Sequence, residues 1–324
     1  SHTDWTLFSN PDRQSTIRQG VTTEIVGNCG LSMAPLSDIS RSQCQGLLRQ
    51  FAYDGPASWN SFTEYLQAIS EMGTAANLAH FVGHSAIRAA AGLVVPGQEA
   101  SSEQMLAMQV SVKEALEAGV LGLSTGLEYD PGRLASTAEI IALATIVGEH
   151  GGVYASHIRN YDVDILPAVD EFVDIVRQSR TRGQLSHLNV RDNTGAPEGA
   201  WHTAVDILIQ AREKGLDIQT DCVGFGDGIG KLASILPPWV LAGGAEQAAQ
   251  RMRDPQVRRR LRRECDRYWR FLHRGDWHRV RLVQDRPFPE IAGKHFDEIA
   301  ELWGQDPWDC YFDIMAAAGS GLDD

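Results

Sequence analysis

Short apolar segments alternate along the chain with longer segments whose apolar residues recur at helical spacing. Each short segment is bounded by glycine or polar residues, which is typical of a strand buried on both faces of a parallel sheet. Six strands are therefore predicted, in residues 20–30, 77–84, 119–126, 151–157, 183–190 and 215–224.

The segments between these strands are predicted to be helices. Residues 102–119 carry apolar positions at helical spacing and end at Gly119. Residues 137–152 open with Thr137, which we expect to be the N-cap, and they close at glycine. Two longer intervals, 31–76 and 225–279, are interpreted as insertions that follow strands.

The spacing of the strands predicts the fold class. Four of the predicted strands begin at residues 119, 151, 183 and 215, which are 32 residues apart. That interval is the length of one strand–helix unit, and repeated units form an α/β barrel or a doubly wound sheet. No G-x-G-x-x-G motif follows a strand, so the dinucleotide-binding sheet is disfavoured.

Composition and charge limit the partners. Of the 324 residues, 43% are hydrophobic and 22% charged, and the net charge is −13, which argues against nucleic acid. The basic run 251–274 is expected to be a solvated arginine face. No apolar run is long enough to predict a membrane span. The five cysteines include no C-x-x-C pair, so we expect reduced thiols in a cytoplasmic protein.

Polar residues stand where the predicted strands end. In a barrel this edge of the sheet carries the chemistry, and nitrogen and sulfur ligands suit a catalytic zinc ion. Taken singly, each has a structural alternative, such as a hydrogen-bonded histidine or a buried thiol. Two Ser-His pairs, however, end strands one unit apart, which places His157 and His187 on neighbouring strands. The strand-end residues are Cys29, His84, Ser124, Thr125, His157, His187 and Asp221, with His2 near the start of the chain.

Seven motifs, in order along nearly the whole chain, resemble the N-acyl-D-amino-acid deacylases, the D-aminoacylase branch of the amidohydrolase superfamily. The resemblance implies a (β/α)8 TIM-like metal-dependent hydrolase barrel over residues 1–324. The G-N-C-G motif and the spaced Ser-His motifs are its most specific parts. The seven motifs are GVTTEIVGNCG (20–30), VGHSAIR (82–88), LSTGLEYDPG (123–132), ASHIRN (155–160), LSHLNV (185–190), LPPWVLAGG (236–244) and GKHFDEIAELWGQDPWD (293–309).

The resemblance also implies a set of metal ligands. Cys29 would be a zinc ligand in place of the carboxylated lysine of other amidohydrolases, and flanking glycines would let the backbone turn around it. His157 and His187 would complete a tight zinc site, and His2 would belong to a second, weaker one. The first histidine of the family's H-x-H pair would fall before Ser1, and the general-base aspartate beyond residue 324. The chain is therefore expected to be a fragment cut at both ends, without the small β-domain and inactive by itself.

Three residues are expected at the substrate. Tyr129 matches a family tyrosine, and Asn189 stands where D-aminoacylases often have a lysine that holds the substrate carboxylate. The D-C-V-G-F run at 221–225 lacks two tyrosines of the family pattern. Carboxylate recognition would then fall to Arg159 or Arg191, for which a salt-bridged scaffold role is the alternative, or the substrate is not a simple N-acyl amino acid.

The activity implied is zinc-dependent hydrolysis of a small N-acyl-D-amino acid to a carboxylate and a free D-amino acid. Two alternatives stay open. A cyclic-amide hydrolase of the dihydroorotase or hydantoinase type needs a bridging lysine, and none of the lysines at 113, 214, 231 and 294 ends a predicted strand. A non-catalytic zinc-binding barrel would keep the metal ligands without the reaction.

Overall fold

A computed structural model of the chain describes residues 1–93, 99–191, 194–224, 226, 228, 230, 232–265, 272, 275–283 and 287–319. The chain divides into two units. The first comprises Ser1–Val190 and Ala196–Gly224, and the second comprises Arg191–Gly195 and Phe225–Asp324. Parts of the predicted insertion 225–279, the phenylalanine of D-C-V-G-F and the last five residues lie outside the described residues.

The first unit is built on a sheet of six parallel strands that are neighbours in chain order. Five of the predicted strand segments contain one of them, and the segment 183–190 overlaps the fifth strand, which begins one residue earlier and ends at Leu185. The prediction of repeated parallel strand–helix units is therefore confirmed. The register pairs Val26 with His80 at one edge of the sheet and Gly126 with His157 near its middle. The strands are Thr23–Val26 (β1), Asn77–Gly83 (β2), Gly122–Gly126 (β3), Val153–His157 (β4), Arg182–Leu185 (β5) and Ile218–Thr220 (β6).

Helices connect the strands, and successive long helices pack against one another. Two short 3₁₀ segments, Thr3–Thr6 and Gly132–Leu134, also belong to this unit. The α-helices are Gln14–Ile17 (α1), Asp38–Gln50 (α2), Phe62–Met72 (α3), His84–Ala90 (α4), Ser102–Glu117 (α5), Thr137–Glu149 (α6), Ile165–Ser179 (α7) and Ala200–Glu213 (α8). The predicted insertion 31–76 thus holds α2 and α3.

Capping residues set the helix starts. The Ser101 side chain accepts a hydrogen bond from the Gln104 amide at the start of α5, and the two residues form a reciprocal capping box. The prediction that Thr137 caps α6 is wrong by one residue, since Ser136 is the N-cap and accepts from the Glu139 amide. The reason is conformational: Ser136 has extended backbone, whereas Thr137 is already helical.

The core of the first unit lies between the sheet and its helices. Apolar side chains from the strands and from the inner helix faces are fully buried there, which removes apolar surface from water on both sides of the strands. These residues include Val82, Leu123, Tyr154 and Leu185 from the sheet and Val112, Leu143, Val147, Phe172 and Val176 from α5, α6 and α7.

The sheet is curled. β1 and β5 are separated by four strand spacings, which is about 19 Å in a flat sheet. Cys29, just after β1, nevertheless has its sulfur 3.3 Å from Nε2 of His187, just after β5. The six strands therefore form a half-barrel, and its curvature brings the carboxyl ends of β1 and β5 close together.

The second unit is helical in its described part, with one antiparallel bridge between Arg281 and His295. The basic run is less solvated than predicted, because Arg258 pairs with Asp313 at 2.6 Å and Arg262 with Asp309 at 2.9 Å. Its α-helices are Pro238–Leu241 (α9), Ala245–Arg251 (α10), Pro255–Glu264 (α11), Phe296–Trp303 (α12) and Pro307–Ala318 (α13), and its 3₁₀ segments are Leu232–Ile235, Trp277–Arg279 and Pro289–Ile291.

Two further sequence expectations concern the whole chain. All five cysteines are free thiols, and four of them are buried, as expected for a chain without a disulfide framework. Across the described ranges, no helix combines the length and the apolar character that crossing a bilayer requires.

Replacing Gly27 with alanine should destabilise the protein more than replacing Gly20. Both glycines have left-handed backbone, with φ of +74° and +83°, so each alanine costs about 1–2 kcal/mol of conformational strain. A Cβ at Gly27 would also overlap the carbonyl oxygen of Phe81, whereas one at Gly20 meets no atom within 4 Å. This overlap should lower the free energy of unfolding of Gly27→Ala by about 1–3 kcal/mol more than that of Gly20→Ala. Urea denaturation measures both losses, and equal losses would contradict the close packing of β1 on β2.

Candidate metal centre

Three of the four predicted ligands meet at the carboxyl ends of β1, β4 and β5. The thiol of Cys29 and one ring nitrogen each of His157 and His187 all lie within 4.8 Å of one another. The sulfur is 3.3 Å from Nε2 of His187, and the two imidazole rings are 4.6 Å apart at their centroids. A cysteine and two histidines from three strands thus face one point.

Cys29 is held by a tight turn after β1. Its φ is +56°, and Gly27 and Gly30 on either side have φ of +74°. The buried Ser124 hydroxyl accepts from the Gly30 amide at 3.0 Å and donates to the Gly27 carbonyl at 2.5 Å. The Tyr129 hydroxyl donates to the Cys29 carbonyl at 2.5 Å. Hydrogen bonds therefore join the turn after β1 to Ser124 in β3 and to Tyr129 in the segment after β3.

His187 also adopts a left-handed backbone, with φ of +39°. Its amide donates to the carboxylate of Asp221, which follows β6, and its carbonyl accepts from Nδ2 of Asn189 at 2.7 Å. Only five non-glycine residues in the described chain have positive φ, and two of them are Cys29 and His187. Backbone strain of this kind concentrates at functional sites, where the surrounding structure maintains it.

His157 ends β4, and a carboxylate contacts its ring. Nε2 of His157 lies 3.0 Å from Oε2 of Glu128, whose side chain is only 4% exposed. The rings of Tyr129 and Tyr161 pack edge-on against the imidazole at 5.0 and 4.9 Å. Sequence reasoning missed Glu128, although a carboxylate two residues beyond the end of β3 at Gly126 satisfies the strand-end criterion that identified the histidines.

The electrostatics suit a cation. Burial raises the pKa of the Cys29 thiol to about 12, so the thiolate needs a positive charge beside it. Burial, with a smaller effect of His157, lowers the pKa of His187 to about 3, which leaves a neutral imidazole with a free lone pair. A metal ion deprotonates a coordinating thiol and accepts such a lone pair.

The donor set fits zinc. With Zn–S of about 2.3 Å and Zn–N of about 2.0–2.1 Å, tetrahedral ligands place sulfur and nitrogen about 3.6 Å apart. The observed separation of 3.3 Å between Cys29 and His187 is close to this value. Three protein ligands would leave one coordination position open, as catalytic zinc sites do.

His2, the fourth predicted ligand, is not in the group whose donor atoms all lie within 4.8 Å of one another. Its ring packs on Trp5 at a centroid distance of 4.6 Å, and its buried Nδ1 has no hydrogen-bond partner. Burial lowers the pKa of His2 to about 4, with smaller contributions from the amino-terminal ammonium and from His157. A buried imidazole nitrogen without a partner is available to a ligand outside the protein.

Arg159 is engaged by the scaffold. Its guanidinium donates twice to Glu171 at 2.8 Å, and also to the carbonyls of Arg133 and Ala135 at 2.7 and 3.2 Å. These contacts favour the salt-bridged alternative over carboxylate binding. The other proposed arginine, Arg191, belongs to the second unit.

His84 is a strand-end histidine with a structural environment. It is completely buried at the start of α4, and its Nε2 lies 2.8 Å from Glu139, which also binds Arg88 at 2.6 Å. These contacts favour the structural alternative for His84.

The curled half-barrel of six parallel strands matches structures of the amidohydrolase type. Solved structures of N-acyl-D-amino-acid deacylases match the chain, among them the following two. An N-acyl-D-glutamate deacylase from Bordetella bronchiseptica, complexed with zinc and a phosphonate that mimics the tetrahedral intermediate, superposes with a TM-score of 0.74 at 26% identity, over 98% of this chain and 57% of that one. A D-aminoacylase that defines a novel subset of amidohydrolases superposes with a TM-score of 0.71 at 28% identity, over 97% and 57%.

The resemblance to the N-acyl-D-amino-acid deacylases is confirmed, since the chain is homologous to these proteins over most of its length. It is 30% identical to a D-aminoacylase of Alcaligenes xylosoxydans xylosoxydans over 319 residues, which are 98% of this chain and 56% of the relative. It is 36% identical to an N-acyl-D-aspartate deacylase of the same organism over 191 residues, which are 58% of this chain and 37% of that relative. The chain thus spans little more than half of the D-aminoacylase it matches. No protein-family model matches the chain.

Removing the Cys29 thiol should abolish tight zinc binding. We expect Cys29→Ala to weaken zinc binding by more than the roughly 10- to 100-fold loss caused by removing an outer partner of a ligand. Cys44→Ala is the matched control, because Cys44 is also a buried free thiol and is not in the three-donor group. Competition with a chromogenic chelator measures both affinities. Equal zinc affinities for Cys29→Ala and the wild type would exclude Cys29 as a ligand.

Proposed function

We propose that this chain carries the metal-binding part of a zinc-dependent hydrolase that cleaves the amide bond of N-acyl-D-amino acids. The products are a carboxylate and a free D-amino acid. The observation that carries the proposal is the meeting of Cys29, His157 and His187 at the ends of three parallel strands. Homology to D-aminoacylase and to N-acyl-D-aspartate deacylase supports the substrate class.

The proposed architecture is a (β/α)8 barrel to which the six strands contribute. The curl of the sheet supports it, since continuing the same curvature through two more strands would close the barrel. The catalytic barrel is proposed to include residues 1–324, with insertions at about 31–76 and 225–279. In such a barrel the carboxyl ends of the strands face one mouth, where the three donors lie.

The residues of the chain prepare the metal position. Cys29 provides a thiolate, and His157 and His187 provide neutral imidazoles, which together leave one net positive charge on a bound divalent ion. When bound there, zinc lowers the pKa of water and polarises the acyl carbonyl. Ser124 and Tyr129 fix the backbone on both sides of the thiolate, so its position is set before any ligand arrives.

A second, weaker metal position is proposed at His2 and Cys29. The buried and unpartnered Nδ1 of His2 supports it. A related D-aminoacylase structure has been described as binuclear, with activation by one metal and attenuation by the second. The tight position would then be the one with three protein ligands.

Tyr129 and Asn189 are proposed to border the substrate, because both lie beside the donors. The ring of Tyr129 packs on His157, and Asn189 contacts the backbone of His187. Arg159 was also predicted to bind substrate, but its four contacts to Glu171 and to carbonyl groups support a scaffold role. The substrate carboxylate is therefore proposed to bind another group.

The proposed activity is tested with the zinc-loaded protein expressed from its complete gene, using matched N-acetyl-D- and N-acetyl-L-amino acids. We expect release of the free amino acid from the D form alone. Cys29→Ala should reduce the rate to background, because the metal ligand is lost, and Cys44→Ala should retain the wild-type rate. An amino-acid release assay that separates the enantiomers gives the result.

Other outcomes point to the alternatives. Turnover of the L form would contradict the assigned stereochemistry. Ring opening of dihydroorotate or a hydantoin, without turnover of the linear amides, would favour a cyclic-amide hydrolase. Stoichiometric zinc with no hydrolysis of either substrate class would favour a non-catalytic zinc-binding barrel.

A further inference from the structure

A buried carboxylate contacts the candidate ligand His157 from outside the three-donor group. Oε2 of Glu128 is 3.0 Å from Nε2 of His157, and the two side chains are 4% and 14% exposed. Glu128 lies between the end of β3 and Tyr129, so its backbone belongs to the segment that also fixes Cys29. The contact is therefore built into the same part of the fold as the donors.

The contact determines which ring nitrogen carries the proton. A neutral imidazole has one N–H donor and one nitrogen with a free lone pair, and an ionised carboxylate can only accept. With Glu128 against Nε2, the proton of His157 belongs on Nε2 and the lone pair on Nδ1. Histidine ligands of metals almost always donate their second ring nitrogen to a carboxylate, a carbonyl or water.

We propose that Glu128 is a positioning residue of the metal centre, which accepts the Nε2 proton of His157 and so presents Nδ1 to the metal. The inference rests on the metal centre proposed above. His187 uses its other nitrogen, because its Nε2 faces the sulfur of Cys29 at 3.3 Å and its backbone is held by Asp221. The two histidines would thus bind through different ring atoms.

Two tyrosines hold the imidazole ring independently of Glu128. Tyr129 and Tyr161 pack edge-on against His157. The Tyr161 hydroxyl accepts from the Ile158 amide at 3.0 Å and donates to the Ser186 carbonyl at 3.1 Å, which links the ends of β4 and β5. Loss of the Glu128 carboxylate should therefore disturb the proton position more than the ring position.

Zinc affinity of the full-length protein tests the proposal. We expect Glu128→Ala to lower the affinity roughly 10- to 100-fold, as loss of an outer partner of a histidine ligand does. Glu128→Gln should recover most of it, because the amide oxygen can accept the same proton. Chelator competition gives the affinities. A residue that acted only in proton transfer during hydrolysis would leave the zinc affinity unchanged, so this measurement separates the two roles.

Glu139 offers a matched control. It contacts Nε2 of His84 at 2.8 Å, its side chain is 8% exposed, and His84 is not in the three-donor group. Glu139→Ala should lower the melting temperature and leave zinc affinity within about twofold of the wild type. Unchanged affinity in Glu128→Ala, or equal losses in Glu128→Ala and Glu139→Ala, would overturn the proposal.

The ligating atom can be identified without a variant. In protein loaded with cadmium-113 and labelled with nitrogen-15 in histidine, we expect metal–nitrogen coupling at Nδ1 of His157 and at Nε2 of His187. Coupling at Nε2 of His157 would overturn the role of Glu128 while keeping the metal centre. A wild-type protein that binds no metal would reject the centre itself, and the inference with it.

Discussion

The contact between the Cys29 sulfur and the His187 imidazole is the constraint on which the rest of the first unit depends. The two residues follow strands that a flat sheet would hold about 19 Å apart, yet the sulfur of Cys29 and Nε2 of His187 are 3.3 Å apart. The sheet has to curl to allow this, and the backbone has to turn sharply at both residues, with φ of +56° and +39°. The curvature of the sheet and the left-handed backbone of Cys29 and His187 together bring these two side chains into contact.

The Cys29 thiol and the His187 imidazole carry no charge of their own near neutral pH. A thiol with a pKa of about 12 and an imidazole with a pKa of about 3 are both neutral near pH 7, so their charges cannot stabilise each other. A divalent metal changes this balance, because it stabilises the thiolate and uses the lone pairs of the imidazoles. The Ser124 and Tyr129 hydroxyls donate to the carbonyls of Gly27 and Cys29, and the Asp221 carboxylate accepts from the His187 amide. These hydrogen bonds hold the backbone at Cys29 and His187.

The sequence predicts the strands because buried parallel strands are apolar and recur at one strand–helix length. The two spaced Ser-His pairs predict that His157 and His187 lie together, and the family resemblance adds Cys29 to them. The sequence does not predict features that depend on the backbone conformation of a single residue or on a partner far away in the chain. Ser136 caps α6 in place of Thr137 because of one residue's backbone conformation. Glu128 turns inward to a histidine 29 residues later in the chain. Arg258 finds Asp313 on a helix 55 residues away, which a local charge pattern cannot indicate.

X-ray absorption at the zinc edge tests the central claim most directly, because it reports the donor atoms without reference to activity. For the zinc-loaded protein we predict one sulfur at about 2.3 Å together with nitrogen and oxygen donors at about 2.0–2.2 Å. The sulfur contribution should disappear in Cys29→Ala and persist in Cys44→Ala. A wild-type spectrum fitted by nitrogen and oxygen alone would contradict the account, because Cys29 would then lie beside the metal without binding it.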